Sequence, residues 1–155
     1  LLRENAEAAA RARAARDAAA YTSDQLHEME QIYQAAKKLP SYDLIAAAMQ
    51  PLLDRFPDSN RAGCAAIYVG RGLEGEPRRQ WLMHAAVHGH DCLFLDGTSA
   101  GGLARILLAA DSAASGDTAA RDRFLAEVRA AYPDSIDFDG VPLTERADAI
   151  EGANR

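Results

Sequence analysis

Phe56-Pro57-Asp58-Ser59 and Tyr132-Pro133-Asp134-Ser135 present one aromatic-Pro-Asp-Ser tetrad twice, 76 residues apart (133 minus 57). Each closes a segment rich in alanine and leucine whose large apolar residues recur at spacings of three and four. Proline has no amide hydrogen for a helix interior and pushes the preceding residue out of the α region, so each tetrad ends a helix. The Asp or Ser after the proline can cap the next helix by accepting from its free amides. A stop and restart at this distance predicts tandem helical hairpins with one unit hidden between the copies. Gly89-His90-Asp91-Cys92 aligns as a decayed third copy, at offsets of 33 (90 minus 57) and 43 (133 minus 90).

Composition agrees with helices. The 155 residues and 16.6 kDa suit one domain. Much of the 48% hydrophobic content is alanine and only 6% is aromatic, so a core of small side chains between close helices is expected, and the fold class is all-α. Net charge is −6 and no basic cluster stands out, which argues against a nucleic-acid partner. The acidic run Asp134, Asp137, Asp139, Glu145, Asp148 and Glu151 reads as solvated surface. No stretch approaches the ~20 apolar residues of a membrane span. The sequence opens at Leu1 without methionine, which leaves room for a signal or membrane anchor upstream.

Residues 1–20 form a helical N-terminal extension, alanine with interspersed Arg and Glu. It has little apolar surface to bury and suits a stalk or a homo-oligomer contact. Residues 23–133 form the repeat domain. Ser23 is the expected cap of a helix with Leu26, Met29, Ile32, Tyr33 and Ala36 on one face. A helix from 42 to 56 contains Pro51, predicting a bend near Ala47 or a split. Further helices are expected at 60–71, from Pro77 to 88, at 102–114 and at 118–131. Residues 134–155 form a capping helix and tail. Trp81 aligns with Phe124 and Leu82 with Leu125, with Ala48 and Met49 in the same places of the first unit. Large residues at one depth are what stacked hairpins need for a shared core.

A period near 34 residues is that of helix-turn-helix solenoids. Over about 23–133 the chain resembles the tetratricopeptide-like repeat family, through Leu107, Ala120, Phe124 and, one residue late, Pro133. It departs from the family at Ala104 and Asp111, where tryptophan and tyrosine are expected. The longer second offset is accounted for by a glycine-rich insertion from Leu93 to Gly102. The resemblance implies a right-handed superhelix of about three antiparallel hairpins plus terminal helices. It also implies a non-enzymatic scaffold that binds a protein or peptide on a concave surface lined by first helices. Tyr68, Arg71 and Arg105, on the first helices of units two and three, are the candidate binding residues, because aromatics and arginine dominate interface energetics.

Cys64 opens one helix and Cys92 lies just past the end of the next, so an antiparallel hairpin brings them towards each other. A disulfide there would staple the middle unit and imply an extracytoplasmic compartment; two free thiols would suit the cytoplasm. His84, His88, His90, Asp91 and Cys92 are clustered in sequence. With no second close ligand pair they read as a helix end favourable to its dipole rather than a metal set, and no cofactor is expected. The alternative function is a small metal- or thiol-dependent site around Cys64, His88 and Cys92. Gly97, Gly101 and Gly102 read as a sharp turn with close helix approach, without the lysine of a phosphate loop.

Overall fold

Hydroxyl and carboxylate caps start most of the helices, as the sequence requires. The computed structural model describes residues 1–153. Its helices are α1 Leu2–Ala20, α2 Ser23–Lys37, α3 Tyr42–Arg55, α4 Asn60–Gly72, α5 Gly75–Val87, α6 Ala100–Ala114, α7 Thr118–Ala131 and α8 Leu143–Ala153. Ser41, Ser59, Ser99 and Asp117 each accept from an amide in the first turn of the helix they precede, contacts worth about 1 kcal/mol apiece. Thr22, not Ser23, caps α2, in a reciprocal box with Gln25. Helix α3 runs through Pro51 without a split. The carbonyl of Ala47, which loses its amide donor to the proline, belongs to an exposed residue and can turn to water.

The helices pack as antiparallel pairs. The start of α2 meets the end of α3 through Glu28 and Arg55. Gly63 near the start of α4 lies against Gly89 and Cys92, just past α5. Gly102 lies against Tyr132, the cap of α7. Successive first helices also touch, α2 with α4, α4 with α6 and α6 with α8, whereas α3, α5 and α7 do not touch one another among the described residues. The result is an inner row of α2, α4, α6 and α8 backed by an outer row of α3, α5 and α7. Met49, Trp81, Leu82, Phe124 and Leu125 are all buried, while Ala48, aligned with Trp81 and Phe124, is half-buried.

The three tetrad positions share one main-chain turn. The amides of Ser59, Cys92 and Ser135 donate to the carbonyls of Phe56, Gly89 and Tyr132 at 3.0, 3.0 and 3.3 Å. Beyond the turn the three paths diverge. Ser59 caps α4 at once, but Cys92 and Ser135 each lead into a tight hairpin finger before the next helix. Finger A spans 93–99 and finger B spans 136–142, with bridges Leu93 to Ser99 and Ile136 to Pro142. Phe94 N–H donates to Thr98 C=O in finger A as Asp137 N–H donates to Val141 C=O in finger B, both at 3.0 Å. Ala100 N–H closes on Cys92 C=O as Leu143 N–H closes on Ser135 C=O. The glycine-rich stretch is therefore not a lone insertion; it is one of two equivalent fingers offset by 43 residues (136 minus 93). Gly97 and Gly140 turn the tips at φ of +90° and +77°, a region L side chains avoid. A parallel bridge from Thr98 to Ile136 joins the fingers.

Helix α1 is not held by an apolar stripe. Ala10 is its one buried apolar residue, beside buried Arg13 and Asp17. Arg3 donates to Asp96 C=O and Phe138 C=O on the finger tips. Farther along, Arg13 donates to Asp17 and to Asp58 C=O, Arg16 pairs with Asp91 at 2.8 Å, and Asp17 accepts the Asn60 amide at the start of α4. The extension is a polar strap across fingers and turns.

Candidate functional site

Helices α2 and α4, finger A and the strap α1 enclose a groove of about 540 Å³. Leu26, Met29 and Tyr33 of α2 form one wall, at the helical spacing that made them a stripe in the sequence. Arg61 and Cys64 of α4 form the second, and Phe94 and Leu95 of the finger the third. Ala14 and Asp17 of α1 close the end.

Aromatic rings and cations alternate over this face. The Arg61 guanidinium lies 4.3 Å from the Tyr33 ring centre and pairs with Glu30. The Lys37 ammonium sits 5.1 Å from the Tyr33 ring and 5.6 Å from that of Tyr68, within cation–π reach. Tyr68 in turn contacts the rings of Tyr33 and Tyr42, centroids 6.2 and 6.0 Å apart. Arg71, two turns along α4 from Cys64, covers Phe138 at 4.7 Å. Burial, with the Cys64 sulfur beside it, pushes the Tyr33 phenol up to about 12, so the ring stays neutral at physiological pH. Neither Lys37 nor Arg71 forms an ion pair among the described residues.

Of the three expected binding residues, Tyr68 adjoins the groove through Tyr33 and Lys37, while Arg71 covers Phe138 and also lines a hollow at the α4–α5 turn. Arg105 is elsewhere, between α5, α6 and α7. Its Nη1 donates to Ala86 C=O, Gly101 C=O and the Tyr132 hydroxyl at 2.9, 3.0 and 3.1 Å, and its Nε donates to Glu127 at 2.8 Å. Tyr132 hands the chain on by donating to His90 C=O at 2.8 Å. Arg105 is a staple between these helices, with Nε and Nη1 committed to the scaffold. Tyr33, Lys37 and Leu95 line the groove and were not among the expected residues. Only Tyr33 could have been flagged from sequence, as the one aromatic on the α2 stripe.

The residues of the alternative site do not converge. Cys64 and Cys92 are both free and buried. Burial raises the Cys64 thiol far above its ordinary value, and raises Cys92 to about 11 despite the opposing pull of Arg13. Both are thiols rather than nucleophilic thiolates at neutral pH. Cys92 donates to Ser59 C=O at 3.5 Å and lies 3.8 Å from Arg13 Nη2, whereas His88 is exposed and faces Asp58 at 3.6 Å. His84 and His88 stack with centroids 4.7 Å apart, His90 turns to Val87 C=O, and Asp91 serves the strap. Among the described residues no three His, Cys, Asp or Glu side chains gather as a metal site, and no helix is long and apolar enough to cross a membrane.

A larger hollow of about 740 Å³ lies at the opposite edge, between the α4–α5 and α6–α7 turns. Arg78 spans it, bound to Asp111 at 2.7 Å and to Gly70 C=O at 3.2 Å, and it holds no aromatic side chain. No family model matches the chain, and neither does any curated protein or solved structure.

Proposed function

We propose that this chain is a non-enzymatic interaction module that holds a protein or peptide partner in the groove between α2, α4 and finger A. The observation that carries this reading is Leu95. It is 80% exposed at the tip of a finger locked by main-chain hydrogen bonds, and it overhangs a groove of aromatic rings and cations. A rigid apolar side chain held in water beside such rings has the make-up of an interface anchor. The likeness to tetratricopeptide-like repeats supports the same role, since α2 and α4 are the first helices of their hairpins. Thiol chemistry at Cys64 and Cys92 finds no support, because both sulfurs are buried and protonated.

The test is selection from a displayed library of random peptides on the immobilised chain. The reading expects enriched peptides that share a sequence pattern and bind the free chain in solution. Enrichment no greater than on an unrelated helical protein would contradict it.

A further inference from the structure

The groove sits where the repeat lacks a part. Fingers precede α6 and α8, but the turn at Phe56-Pro57-Asp58-Ser59 runs straight into α4 without one. Finger B lies beside finger A, its Ile136 carbonyl accepting from Ser99 N–H at 3.2 Å. Leu93 of finger A is the counterpart of Ile136 (136 minus 43), so a finger ahead of α4 would pair along Leu93. In its place the Asn60 side chain supplies a substitute: Oδ1 accepts from Leu93 N–H and Nδ2 donates to Leu93 C=O, each at 2.8 Å. One amide replaces the strand's hydrogen bonds but none of its side chains. The space those side chains would fill is the groove.

The same equivalence says what is missing. Leu95 is the counterpart of Phe138. Phe138 is covered by Phe94 at 4.8 Å and by Arg71 at 4.7 Å, whereas Leu95 stands 80% exposed. The first finger carries the anchor of the second without its cover. On the wall opposite, Arg61 is already neutralised by Glu30, but Lys37 rests on two tyrosine rings with no carboxylate.

Resting on the proposed binding role, we infer that the groove is the vacant seat of a finger and receives an extended loop from a partner protein. That loop carries a large apolar side chain, which packs on Leu95 and Phe94, and a carboxylate, which reaches Lys37. Leu95 supplies the apolar half of the recognition and Lys37 the charged half; Asn60 fixes the finger edge between them.

The peptides enriched in a display selection on the chain serve as probes, measured by calorimetry against the full chain and against Leu95→Asp and Lys37→Glu. Both positions are exposed, so the variants should fold, and circular dichroism checks this. The inference expects peptides with a Phe, Leu or Trp close to an Asp or Glu, and about a tenfold or greater loss of affinity in each variant. An Arg79→Glu variant, at the opposite hollow, should bind as the parent does. Peptides that bind both groove variants undiminished would overturn the seat while leaving the binding role intact. No enriched peptide at all would overturn both. A concentration-dependent dimer in sedimentation that Leu95→Asp abolishes would make the occupant a second copy and overturn the partner assignment.

Discussion

The carboxamide of Asn60 and the backbone of Leu93 are joined by a reciprocal pair of hydrogen bonds, each 2.8 Å long. Through them α4 holds the edge of finger A, and the finger holds Leu95 above the groove.

Asn60→Asp keeps the acceptor for Leu93 N–H but puts a second acceptor against Leu93 C=O. The site is partly buried, so we expect a loss of about 1–3 kcal/mol in urea unfolding. Hydrogen exchange at the finger amides of Leu93 and Phe94 should accelerate, while the α6–α7 amides should not. Unchanged exchange at Leu93 would contradict the role given to Asn60.

Arg105 is assigned to the scaffold, and its substitution should register there. Arg105→Lys cannot reproduce the fork that reaches Ala86, Gly101, Tyr132 and Glu127. A destabilisation of about 1.5–3 kcal/mol is expected, with affinity for groove peptides unchanged in the folded protein. Lost affinity without lost stability would return Arg105 to the binding surface.

The strap depends on a charge held inside the protein. Arg13 is 5% exposed and bonds Asp17 and Asp58 C=O. Removing one partner of a buried pair typically costs about 3–5 kcal/mol. Only Ala10 is buried apolar surface on α1, so Arg13→Ala should free the strap locally rather than unfold the chain. The predicted readout is fast exchange and tryptic cleavage within 2–20, with α4 to α7 still protected. Gly97→Ala should act similarly from the finger side, since a Cβ there would fall 2.5 Å from Ala6 Cβ at a φ of +90°.

Acid sensitivity is the consequence of His84. Burial, and then the neighbouring His88, lowers its affinity for a proton below the ordinary value of 6.5, outweighing the opposing hydrogen bond with the Pro57 backbone. The unfolded imidazole therefore protonates near 6.5, while the folded one stays neutral until a lower pH. Between those points the unfolded state binds more protons, so stability falls as pH drops below 6.5 and is unpenalised above it. His84→Gln should flatten the decline in midpoint denaturant between pH 7.5 and 5.5. A decline of the same size in the variant would place the acid sensitivity elsewhere. Asp91 works in a separate window, because Arg16 and Arg13 outweigh its burial and hold its carboxyl below 3.8; its contribution is lost only as pH falls below that value.

The sequence made the helices and their ends legible because proline, serine and glycine act locally. Ser59 caps where the tetrad said a cap would fall, and Leu82 and Leu125 are both buried because apolar periodicity reports burial. The second finger was legible too, in the recurrence of an apolar residue before Asp-Gly at Phe138-Asp139-Gly140 and Leu95-Asp96-Gly97. It was hidden by the assumption that glycines between helices mark an insertion. The strap was not legible. Its long-range partners are carbonyls, a carboxylate and an amide from 43 to 135 residues away, and no local pattern reports those. The internal partners of Arg105 were not legible either, because helix membership does not say which neighbours a side chain meets.

The most direct measurement is amide chemical-shift mapping of the labelled chain with a selected peptide. The account predicts perturbations confined to α2 around Met29 to Lys37, to α4 around Asn60 to Arg71, and to finger A around Leu93 to Gly97. Perturbations centred on the turns at Gly75 and Gly116, with the finger silent, would contradict it.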